Sequence, residues 1–134
     1  MSAWGISNFE NDTALDWVNE VVHRKEIESF KESVELFLKS FSVENTSLMD
    51  CSKFLAIAET MAALLGSPGQ DFPEELQDWI ETKYIKIEAS TVESAKRGVQ
   101  MIMNDSEAKE MYLDSGYFKS WEKAQKDLIK RLSK

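Results

Sequence analysis

The chain has one cysteine, one histidine and two prolines among 134 residues, and no apolar run long enough to cross a bilayer. A lone thiol, Cys51, can form neither an internal disulfide nor a multi-thiolate zinc site, which predicts a reducing, cytosolic address. The opening Met1-Ser2-Ala3-Trp4 lacks the charged and apolar regions of an export signal. Basic charge is also scarce: 16 lysines and arginines face 24 aspartates and glutamates, a net charge of −8. That balance argues against nucleic-acid binding, which needs a cationic face to neutralise phosphates, and against an anionic membrane surface. No G-x-G-x-x-G, Walker loop, H-E-x-x-H or C-x-x-C is present, so the common cofactor and metal signatures are missing and no cofactor is expected.

What is present is apolar residue content of 43%, enough for one continuous core, at a length that suits one domain spanning residues 1–134. The apolar residues recur at helical offsets almost throughout, which predicts an all-α fold: a single compact bundle of about six or seven helices behind an irregular N-terminal segment. Asn11-Asp12-Thr13 offers N-cap chemistry to a first helix carrying Ala14, Leu15, Trp17, Val18, Val21 and Val22. Ile27, Phe30, Val34, Phe37, Leu38 and Phe41 form the stripe of a second. A third, capped by Asp50 or Ser52, is apolar around most of its circumference from Phe54 to Leu65 and stops at Gly66. Pro73 fits the first turn of a fourth helix that carries Leu76, Trp79 and Ile80 and extends toward Tyr84. Residues 83–88 alternate weakly, which leaves a short strand open, but with no partner strand in sight they read as helix end and connector. A fifth helix carries Val92 to Ile102, Ser106 caps a sixth that ends at Gly116, and a seventh sets Phe118, Trp121, Leu128 and Leu132 opposite Lys119, Lys123, Lys126 and Lys130. Phe9 is placed to act as a hydrophobic staple ahead of the first helix.

The acidity is unevenly distributed. Residues 1–82 carry 5 basic and 16 acidic side chains, whereas residues 83–134 carry 11 and 8. Glu28, Glu32 and Glu35 fall off the apolar stripe of the second helix, and Asp71, Glu74, Glu75 and Asp78 cluster around the start of the fourth; these seven form the candidate partner-binding surface. Catalytic candidates are few. Glu20 and His23 make an E-x-x-H on the first helix, with Asp16 and Asp12 one and two turns earlier. Di-metal helical bundles need two such motifs, and a second would require another histidine.

Trp4-Gly5 followed by Phe9-Glu10-Asn11-Asp12-Thr13-Ala14-Leu15-Asp16-Trp17 resembles the opening signature of a bacterial family of uncharacterised proteins, domain of unknown function 4259. The resemblance continues through Leu64-Leu65-Gly66, Pro73-Glu74-Glu75-Leu76, Trp79, Trp121, Asp127-Leu128 and Arg131-Leu132. It implies a small helical domain and carries no catalytic residues. Small size, acidity and the lack of a catalytic constellation together point to a non-enzymatic, protein-binding role, in the form of an immunity protein that covers the basic active-site surface of a toxin such as a nuclease. The alternatives are a small metal-dependent or hydrolytic enzyme centred on Glu20 and His23, and a helical structural protein that forms a homodimer.

Overall fold

A computed structural model describes residues 5–23, 27–42 and 47–133. It comprises seven helices: α1 (Asp12–Val22), α2 (Ile27–Ser40), α3 (Leu48–Leu64), α4 (Glu74–Glu81), α5 (Ala89–Asn104), α6 (Glu107–Ser115) and α7 (Phe118–Leu132), with no strand among the described residues. Trp4 of the N-terminal motif lies outside the described residues.

Helix α3 is the axis of the bundle. It packs against α1, α2, α5, α6 and α7, and from Cys51 to Ala63 every residue except Lys53 is buried. Alanines at 56, 58, 62 and 63 let neighbours approach closely, while Phe54, Leu55, Ile57 and Met61 supply the bulk. Each large side chain so buried contributes about 1.5–3 kcal/mol relative to exposure. Gly98 on α5 lies directly beneath the Phe54 ring, where a Cβ would overlap Cζ.

The helix ends follow local chemistry, with three departures from expectation. The Asn11 side chain accepts the Ala14 N–H at 2.8 Å and Ser106 accepts that of Lys109 at 3.0 Å, as capping residues do. Gly66 and Gly116 adopt left-handed φ values of 92° and 84° at helix ends; beyond Gly66, the Ser67 N–H returns to the Ala62 carbonyl in a Schellman closure. Helix α3, however, starts earlier than expected: Ser47 is the N-cap, accepting the Asp50 N–H at 3.2 Å, so Asp50 and Ser52 lie inside the helix. Pro73 is the N-cap residue of α4 rather than part of its first turn. Tyr84 falls beyond that helix, with φ of 51° and 93% exposure, because the chain leaves α4 through turns at residues 82–84.

Phe9 is buried, but it meets Phe72 edge to face at 5.5 Å instead of stapling its own helix. Leu15, the residue a staple would need, points to the exposed side. The segment before α1 is tied to the opposite end of the chain, since the Tyr112 hydroxyl donates to the Gly5 carbonyl at 2.9 Å.

Candidate functional site

Three helices meet through aromatic rings. Phe30 of α2 lies 6.5 Å from Trp17 of α1 and 5.1 Å from Trp79 of α4, and α1 and α4 pack directly on one another. With the rings turned inward, the outer faces carry the acids. On α1, Asp12, Asp16 and Glu20 recur every four residues and are exposed, and the helix has no basic residue. On α4, Glu74, Glu75, Asp78 and Glu81 are exposed around a buried Leu76, Trp79 and Ile80, again with no basic residue. Glu28 and Glu32 stand exposed on α2, whereas Glu35 is half-buried.

The structure thus brings five of the seven expected residues, Glu28, Glu32, Glu74, Glu75 and Asp78, onto helices joined by the Phe30–Trp79 contact, with Glu35 a turn farther along α2. Asp71 lines a cleft instead. The expectation missed Asp12, Asp16, Glu20 and Glu81 as part of this surface. Their signal was the four-residue spacing on α1 and an α4 free of lysine and arginine. Basic residues gather elsewhere, with five of them on α7.

The cleft encloses about 620 Å³ between the N-terminal segment, the 66–73 loop and α7. Its floor is a buried polar network. Arg131 reaches Glu59 through Nη1 at 2.9 Å and Nη2 at 3.2 Å, the Ser67 carbonyl through Nη1 at 3.2 Å, and Asp127 through Nε at 2.8 Å. Asn8 donates from Nδ2 to Glu59 at 2.9 Å and to Gln125 at 3.0 Å, and its Oδ1 accepts from Gln125 Nε2 at 2.8 Å. Glu59 sits on α3 amid apolar residues, so without this pairing its carboxylate would be stranded. Burial opposes the charge on Arg131, but the hydrogen bonds and charge of Glu59, then those of Asp127, outweigh it and raise the guanidinium pKa above its ordinary value. Gly69 crosses this pair so closely that a Cβ there would come within 3.1 Å of Glu59 Oε1, which fixes the loop against the floor.

Of the other sequence candidates, Glu20 shares the acidic side of α1 with Asp12 and Asp16, whereas His23 and Cys51 belong to neither feature. Glu20 and His23 are exposed on α1, and His23 Nδ1 lies 2.7 Å from the Asn19 carbonyl. Among the described residues, no group of three or more His, Cys, Asp or Glu is placed to hold a metal ion. Cys51 is buried, and burial pushes its thiol up to about 11; Glu107 and Asp50 add to the rise, while hydrogen bonding to Ala108 and Ser106 opposes it. A thiol protonated at neutral pH is a poor nucleophile.

Fold and site define a class: a small all-α domain with two adjoining acidic helices, α1 and α4, and a cleft floored by a buried ion pair. No helix among the described residues is long and apolar enough to cross a membrane. The chain belongs to the family described as domain of unknown function DUF4259, whose profile matches residues 2–124. No curated protein and no solved structure matches it.

Proposed function

We propose that the protein is a binding module whose acidic face covers a basic surface of a protein partner, and that it serves as an immunity protein neutralising a toxin such as a nuclease in the cytosol. The observation that carries this reading is the pairing of α1 with α4: two helices in contact present seven carboxylates and no basic residue. Asp12, Glu74 and Glu75 also favour their helix N-termini, but carboxylates gathered on adjacent helices with no lysine or arginine on either repel each other, so their concentration fits an external counter-charge. Toxins that act on nucleic acids carry cationic active-site surfaces because their substrates are polyanions. An acidic cover complementary to such a surface would associate fast and discriminate against neutral partners.

The reading is tested by coexpressing the chain with the product of the adjacent gene. Rescue of growth and copurification of a complex support it; a toxic neighbour that is neither bound nor neutralised counts against it. In the complex, Asp16→Lys with Asp78→Lys should slow association by about tenfold or more at low salt and by much less at high salt, since screening removes steering.

A further inference from the structure

The cleft beside the acidic face has the volume of a built ligand pocket, about 620 Å³. Its floor is largely self-paired. Arg131 makes four hydrogen bonds, to Glu59, Asp127 and the Ser67 carbonyl, and the amides of Asn8 and Gln125 pair with each other, so the network mainly sets the shape of the cleft and recognition falls chiefly to its walls. Two kinds of group line those walls. Phe72 is half-buried and packs at 89° against the buried Phe9, so Phe72 is the aromatic ring that the wall offers. Asp71 is an exposed carboxylate on the loop, and Asp127 on α7, with 61% side-chain exposure, engages Arg131 through only one of its oxygens.

The charge around the opening selects the sign of an occupant. An anion would face the exposed carboxylates of Asp71 and Asp127 with Lys123 as its one exposed counter-charge on the cleft wall. A cation meets the reverse. Between the two biological cations, a guanidinium fits better than an ammonium, because it is planar, weakly hydrated, stacks on aromatic rings and offers paired N–H groups to a carboxylate.

We propose that the cleft receives an arginine side chain presented by the basic partner, stacked against Phe72 and paired with Asp71. The inference rests on the reading of a basic protein partner and makes the cleft its anchoring point at the N-terminal end of α4.

The test needs no partner and is independent of the rescue assay. The full-length ¹⁵N-labelled chain is titrated at low salt with N-acetyl-arginine amide and, separately, with its uncharged isostere N-acetyl-citrulline amide. The expected result is saturable amide shifts centred on Gly69, Gln70, Asp71 and Phe72, with citrulline at least about fivefold weaker, as loss of a cation–π contact and an exposed ion pair requires. Asp71→Asn should weaken the arginine probe by about three- to tenfold. Ala124→Trp, which fills the cleft from α7, should abolish the shifts; Asp71→Asn decides the matter if that variant does not fold. Equal binding of the two probes overturns the proposal. So do shifts confined to α1 and the outer face of α4, and that result would leave the acidic-face reading standing.

Discussion

Replacing Arg131 by methionine probes the floor of the cleft. The substitution keeps the aliphatic bulk and removes the partner of Glu59, whose side chain is only 10% exposed. Glu59 would retain Asn8 as its sole donor among the contacts described above. Breaking a fully buried pair costs about 3–5 kcal/mol, and water reaching this one through the cleft lowers the expectation to about 2–3 kcal/mol. Unfolding entropy of about 2.1 cal/mol/K per residue converts that into a fall in Tm of about 7–11 °C for a chain of this length. Calorimetry at pH 7 reads it directly. Removing both charges, as Glu59→Leu with Arg131→Met, should recover most of the loss, because no charge is then left stranded; a coupling of about 2 kcal/mol closes the cycle. Hydrogen exchange adds a local readout: Arg131→Met frees the Ser67 carbonyl, so the Phe72 N–H, bonded to Gly69 at 3.2 Å, should exchange faster. A single variant within about 2 °C of wild type, or strictly additive losses in the double variant, would refute the argument that this ion pair holds the floor.

Two further perturbations test the core. Gly98→Ala places a Cβ inside the Phe54 ring, 2.8 Å from Cε2, with Phe41 packed 4.3 Å behind it. The helix-propensity gain of about 1 kcal/mol is outweighed by overpacking, so urea unfolding should show a net loss of about 1–2 kcal/mol; a gain would mean that the α3–α5 contact is loose. Cys51 titrates near 9.0 when free of the fold and at about 11 within it. The unfolded chain therefore releases its proton first as pH rises, so stability from this group is complete below pH 9 and declines between pH 9 and 11; Cys51→Ala should flatten that slope, and an unchanged slope would contradict the burial argument. The Tyr112 hydroxyl, raised by burial and then by Glu10, acts in the same direction.

Much of this fold was legible because its signals are local. The Phe30–Val34–Leu38 stripe, the all-round apolar character of α3 and the glycines at 66 and 116 each state their structure within a few residues. Ambiguity entered where several residues competed for one role: Ser47, Asp50 and Ser52 all suit an N-cap, and only the packed structure decides in favour of Ser47. Tyr84 runs against preference, since an aromatic residue seldom adopts a left-handed backbone. The candidate site was less legible. Asn8 lies 51 residues from Glu59 and 117 from Gln125, and each reads alone as an ordinary surface residue. The one visible flag was Glu59, a single carboxylate inside the apolar run of α3, which asks for a buried partner without naming it. The acidic face was half legible. Charge counting located the acidic segment, but only the Trp17–Phe30–Trp79 contacts show which of its helices stand side by side.

The central claim is that the α1–α4 face meets a basic protein. Its most direct measurement is a side-by-side recovery from native cells, at low salt, of tagged wild-type chain and a variant carrying Asp12→Lys, Asp16→Lys, Glu75→Lys and Asp78→Lys, all exposed positions. The account predicts one basic protein in stoichiometric amount with the wild type and its loss from the equally folded variant. The same protein retained in equal amount by both would contradict it.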